Sequence, residues 1–224
     1  MIDIWTSPIR FYRSRVSHPP DWIGAAVPVA IQMVLLSVSG SVTYLRGLEG
    51  VTENLPASLG ADVLLSSAAF GVALAAVSVV AGVAMMFWLS AGALVVLDLL
   101  FAGSGHARRL VECTALAYWS QVPWSLVTVG ILVWWFVPEP LRLPSGVSLA
   151  ELPVRLTEYQ AAMQSTPLLE TMKIVGLYFG IWLVALQAVA LRVVSGFSVG
   201  GTWVAGILLA ALFVGLPYAA QWYW

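Results

Sequence analysis

The sequence predicts an all-α integral membrane protein: five transmembrane helices, a cytosolic N-terminus, and a short amphipathic interfacial helix ahead of the first span. Three observations predict it. The chain is 60% hydrophobic and only 9% charged, with a mean hydropathy of +0.91, whereas a soluble domain carries roughly a quarter charged residues. Five runs hold no charge at all, at residues 22–45, 63–97, 113–138, 174–191 and 193–224. Backbone polar groups in lipid must be satisfied internally, so runs of this length are read as helices. The third observation is the basic N-terminal segment, whose apolar residues recur at helical spacing.

The elements follow in order as one membrane domain, 1–224. In residues 1–20, Ser7 is placed to cap a helix opened by Pro8, and His18-Pro19-Pro20 stops it. Ile2, Trp5, Ile9, Tyr12 and Val16 share a face, with Arg10, Arg13 and Arg15 around the turn, so the segment is expected to lie among lipid headgroups. No cleavable leader is expected, because no basic flank precedes an apolar core. The first span covers about 22–45. The second, about 66–101, contains the 63–97 run, which would be about 52 Å long as a helix against about 30 Å of hydrocarbon. Its middle, around Ala75 to Ala84, offers no Pro, Asn or Asp for a turn, so one overlong helix is expected rather than a hairpin. Spans of about 113–138, 172–193 and 200–222 complete the bundle. Between the third and fourth, residues 139–171 read as an external loop with a short helix at 154–164.

Orientation rests on loop density. Lysines and arginines divide six against four whether the long run is one span or two. The positive-inside rule weights short, dense loops. Arg108 and Arg109 lie in such a loop, whereas Arg142, Arg155 and Lys173 are spread among Glu139, Glu151, Glu158 and Glu170. Five spans then place Arg10, Arg13, Arg15, Arg108, Arg109 and Arg192 on the cytosolic side.

Chemistry-bearing residues are few. The net charge of −1 gives no field for nucleic acid, and the single cysteine excludes an internal disulfide. His18 and His106 are far apart, and no catalytic motif is present. No cofactor or metal is expected. Asp98 is the ionisable residue inside an apolar run, close to the cytosolic interface, and Arg192 is its expected ion-pair partner. Gln32, Gln121 and Gln187 are expected to make interhelical hydrogen bonds worth about 1 kcal/mol each. Small residues at Gly71/Ala75, Ser78/Gly82, Gly176/Gly180 and Gly206/Ala210 let helix backbones approach. Packing within the bundle is favoured over a dimer face, and oligomers stay open. Trp22, Trp119, Trp124, Trp134, Trp135, Trp222 and Trp224 are expected in interfacial belts.

Several short elements together resemble the Yip family, the Ypt/Rab-interacting-protein superfamily. Ser7-Pro8-Ile9-Arg10-Phe11-Tyr12 is similar to the Pro-x-x-Phe/Tyr element ahead of the first span. Ala102-Gly103-Ser104-Gly105 stands at the family's Gly-rich turn, and Trp119-Ser120-Gln121-Val122-Pro123 at its aromatic-Ser-x-x-Pro element. Residues 191–198 resemble the polar connection into the last helix. The resemblance implies five spans and a non-enzymatic interaction or scaffold protein in the plasma membrane of a prokaryote. Its cytosolic basic face would dock a protein partner or anionic lipid. The alternatives are a small-solute or ion transporter, or a subunit of one, and third a lipid-processing membrane enzyme.

Overall fold

The computed structural model describes residues 2–52, 61–101, 106–135 and 166–215. Every regular element among them is helical: α1 (Ile2–Thr6), α2 (Pro8–Val16), α3 (Trp22–Thr52), α4 (Ala61–Phe101), α5 (Ala107–Ala117), a 3-10 turn (Tyr118–Ser120), α6 (Val122–Trp134), α7 (Pro167–Ser195) and α8 (Val199–Ala210). A π-helical turn, Ala211–Gly215, continues α8. Among the described residues four segments are long and apolar enough to cross a bilayer: Trp22–Leu45, Ala69–Phe101, Ala107–Trp134 and Pro167–Ser195. Val199–Gly215 is a shorter apolar helix. The end of the expected fifth span, like Val154–Gln164 and the paired Gly103 and Gly105, lies outside the described residues.

Helix α4 runs uninterrupted for 41 residues, so the long charge-free run is one helix without a turn. The third span differs more from expectation. It starts at Ala107 rather than at the end of the charges, taking Arg108, Arg109 and Glu112 into the helix. Trp119 and Trp124 consequently fall in the body of that span, not at an interfacial end. Trp22, Trp134 and Trp135 are exposed at span ends, as a belt requires.

Two compact units are distinguishable. The first comprises Met1–Val34, Ala81–Ser125 and Gly176–Trp224. Three apolar clusters fill it. One gathers Tyr12, Leu94, Leu110, Cys113, Leu191 and Leu209. The second centres on Ala25, Val29, Leu116 and Tyr118, and the third on Ile4, Ala117 and Leu186. Phe11 packs against all three.

The apolar face of the N-terminal segment packs against other helices of this unit. Ile4 and Tyr12 have no exposed surface. Trp5 stacks on Trp182 at 6.1 Å and meets Phe179 edge-on at 5.8 Å. Trp124 stacks on the same Phe179 at 5.7 Å. Aromatic pairs of this geometry contribute about 0.5–1.5 kcal/mol beyond area burial. The amphipathic pattern was correctly an apolar face, but protein rather than lipid covers it.

The second unit comprises Leu35–Val80 and Leu126–Val175. Within it the Ser37 hydroxyl lies 3.5 Å from the Ala76 carbonyl, and a Cβ on Gly40 would sit 3.4 Å from Val79. Gly71 admits the Tyr44 ring so closely that any added Cβ overlaps it. Gly71→Ala is expected to displace Tyr44 and destabilise by about 1–3 kcal/mol, the usual range for overpacking. Thermal unfolding in detergent checks this; an unchanged midpoint would show that the ring moves freely.

Other small residues sort by geometry. A Cβ on Gly176 would lie 3.3 Å from Trp124 Nε1, one on Gly206 3.4 Å from Ala188, and one on Gly180 3.6 Å from Val214. Gly82 faces open space, with nothing within 4 Å.

Candidate functional site

The most connected polar group of residues sits where α2 ends and α5 begins. Pro8 presets φ for the first turn of α2. Ser7 stands in the N-cap position without making a side-chain cap bond. Its backbone holds the break instead: its N–H donates to Asp3 (2.8 Å) and its carbonyl accepts from Phe11 (3.0 Å). At the other end the hydroxyls of Ser14 and Ser17 bond back to the Phe11 and Ser14 carbonyls at 2.7 and 2.8 Å. His18 Nδ1 lies 2.7 Å from the Ser14 carbonyl. A carbonyl only accepts, so Nδ1 carries the proton in this contact.

Arg109 on α5 reaches into this helix end. Its Nη1 donates to Glu112 Oε2 at 2.7 Å and to the Arg15 carbonyl at 3.4 Å, while Nη2 donates to the His18 carbonyl. The guanidinium thus satisfies carbonyls at the C-terminal end of α2, where the helix dipole favours a cation. The other oxygen of Glu112, Oε1, accepts the Asp21 N–H at 3.1 Å. Asp21 Oδ1 in turn takes the Gly24 N–H at 2.9 Å and caps α3. One chain of bonds joins the end of α2, the start of α5 and the start of α3. Glu112 is 1% exposed, and this is the buried charge that the sequence reading missed. It is concealed there because a span counted from the last charge begins at Cys113. The i,i+3 spacing of Arg109 and Glu112 was the available signal.

That chain also revises the basic face. Arg10, Arg13, Arg15 and Arg108 are exposed, and Arg15 lies over the Phe11 ring at 5.9 Å. Arg109 turns inward and serves structure. Arg192 is half-buried in the last turn of α7.

Asp98 is fully buried, and its Oδ2 accepts the His106 N–H at 3.1 Å. His106 is the N-cap residue of α5, so the carboxylate lies at the positive end of that helix. The expected Asp98–Arg192 pair is not among the ion pairs of the described residues; Arg109–Glu112 is.

The Trp119–Pro123 element forms the break in the third span. Gln121 N–H bonds to Tyr118 at 2.9 Å, an i,i+3 contact. This leaves the Ala117 carbonyl to the Ser120 hydroxyl, at 2.8 Å. Pro123 has no N–H to give to the preceding turn. Trp119 packs against two of the apolar clusters, and Gln121 Nε2 donates to the Phe179 carbonyl on α7. The other amides behave alike. Gln32 Oε1 accepts from Ser125 at 2.9 Å, and Gln187 Nε2 donates to Ser90 Oγ at 3.3 Å. No group of three metal-ligating side chains occurs among the described residues.

A family model described as the Yip1 domain matches residues 2–219. No curated protein and no solved structure matches the chain.

Proposed function

This chain belongs to the Yip1 domain family and is accordingly a non-enzymatic, all-helical membrane protein; on that premise we propose that it is a scaffold whose basic α2–α5 corner docks a protein partner or anionic lipid. The observation that carries the reading is the division of labour among the arginines. Arg109 locks α2 to α5, and Arg10, Arg13, Arg15 and Arg108 stand exposed around that junction. A rigidly held basic surface loses less ordering entropy on binding than a loose leader. The span amides support scaffold over transport, since Gln32, Gln121 and Gln187 each make a helix–helix hydrogen bond.

The full proposal has five spans in the plasma membrane of a prokaryote, with the N-terminus and the Arg108 end of α5 cytosolic. Membrane-impermeant maleimide tests the orientation. Ser17→Cys and Arg108→Cys are expected to label only after permeabilisation, and Glu170→Cys from outside. Reversed labelling would sink the topology.

For docking, a photo-crosslinking residue at Arg13 is expected to capture one stoichiometric protein or anionic lipid from the intact membrane. Capture should disappear when Arg10, Arg15 and Arg108 are changed to Glu in the same chain. Equal capture by wild type and the triple variant would overturn the basic-face reading.

A further inference from the structure

We propose that α1 is a re-entrant strap, independent of the basic docking face: it dips to the bilayer midplane and clamps a hinge in the third span. Its depth is read along two helices at once. The Tyr12 hydroxyl donates to the Cys113 carbonyl, and its ring clusters with Leu110 and Leu191. Ile4 clusters with Ala117 and Leu186, a turn or more further along each helix. Trp5 stacks on Trp182 and meets Phe179 edge-on. Chain positions from Tyr12 back to Trp5 therefore descend α7 and the third span together. From Leu191 to Trp182 the descent is about 14 Å. Lys173 and Arg192 bound the charge-free stretch of α7, and Trp182 stands at its centre. That stretch is about 27 Å long, close to the roughly 30 Å of hydrocarbon, so its centre lies near the midplane. The depth follows from the span itself and holds whichever side α1 enters from.

The element under the strap is a break. The third span runs Ala107–Trp134, and its 3-10 turn, Tyr118–Ser120, falls at mid-length. The Gln121 N–H returns to Tyr118, and Pro123 has no N–H to give. A 3-10 stretch within a helix is a common hinge. The α1 helix contacts this turn directly, with Ile4 against Ala117 and Trp119 packed beside them. Gln121 Nε2 donates to the Phe179 carbonyl, and Trp5 meets the Phe179 ring. One residue of α7 thus receives the hinge through its backbone and the strap through its side chain.

Opposing terms make the strap releasable. Ile4 has no exposed surface and Trp5 is half-buried, which favours seating. Asp3 is exposed in the first turn of α1, and a carboxylate at membrane depth is costly. Ser7 separates α1 from α2, so α1 can leave while Tyr12 and Arg109 still pin α2.

The test uses the full chain in phosphatidylglycerol bilayers. A photo-crosslinking residue in place of Trp5 is expected to join α7 within residues 179–183. Attachment at residues 191–195, or to lipid headgroups, overturns the re-entry. Hydrogen exchange at residues 118–121 reads the hinge. Trp5→Ala should speed that exchange about tenfold, the effect of losing two aromatic contacts. Asp3→Asn should slow it. Exchange at residues 110–114, pinned by Tyr12, should stay the same in all three chains. Equal hinge exchange in wild type and both variants overturns the strap. So does a rise in Trp5→Ala that extends equally through residues 110–114, because that is general loosening and not release of a hinge.

Discussion

Arg109→Ala is expected to destabilise the bundle by about 3–5 kcal/mol, the range for removing one partner of a buried ion pair. The substitution does not merely delete a contact. It leaves Glu112, 2% exposed at its side chain, with the Asp21 N–H as its described remaining donor. It also removes the guanidinium donor from the His18 carbonyl and from the Arg15 carbonyl, which keeps the His18 N–H at 3.1 Å. Desolvation dominates because an uncompensated buried carboxylate costs more than its pairing gained. Glu112→Gln should cost less, since an amide oxygen still accepts from Asp21 and the stranded guanidinium is 17% exposed. Replacing both residues with Met and Leu should recover much of the loss. Chemical unfolding in a fixed detergent measures all three. If the Arg109 and Glu112 variants cost the same and the double variant equals their sum, the pair is not coupled.

The second large effect is expected at Tyr12, where removal of the ring by Tyr12→Ala should cost about 3–5 kcal/mol. The side chain has no exposed surface and packs with Leu94, Leu110, Leu191 and Leu209. Its hydroxyl donates to the Cys113 carbonyl at a long 3.4 Å. Tyr12→Phe should therefore cost about 1 kcal/mol or less. Burial, with the neighbouring Cys113 as the lesser cause, pushes the phenol well above its ordinary value of 10.0. The folded state thus favours the neutral phenol. Its contribution is complete below pH 10 and is lost as pH rises from there toward the folded value. Unfolding curves above pH 10 should show wild type losing stability faster than Tyr12→Phe. Parallel curves would mean that the phenol is not held neutral by burial.

Much of this architecture was legible because lipid imposes simple demands. An uncharged run with no turn residue leaves the backbone no choice but to bond within one helix, and α4 does so over 41 residues. Pro8 at the start of α2 and the His18-Pro19-Pro20 stop act through local sterics, so they too are readable. The amides of Gln32, Gln121 and Gln187 announce partners because an unsatisfied polar group in the bundle is costly. Which partners they find is not local information.

The candidate site was legible only in composition. Six arginines were assigned to one basic face, yet Arg109 turns inward and Arg192 is half-buried, while Glu112 never entered the reading. Whether a charge near a span end meets water, lipid or a buried partner depends on which helix crosses it. Here that helix is α2, nearly a hundred residues earlier in the chain, and no periodicity reports such a contact. The same reason explains the N-terminal segment: an apolar face looks identical in sequence whether lipid or Trp182 and Phe179 cover it.

By itself, then, the sequence determined a helical membrane protein of the Yip type, its long α4 helix and its basic N-terminal segment. These follow from hydrophobicity, local sterics and backbone satisfaction, which act over a few turns of chain. Only the tertiary structure decided that the leader is wedged into the bundle. It also decided that Glu112 takes Arg109 as its partner, and that Asp98 accepts the backbone N–H of His106 at the start of α5. Those outcomes turn on desolvation and dipole geometry between helices distant in sequence, and they exist only once the helices have met.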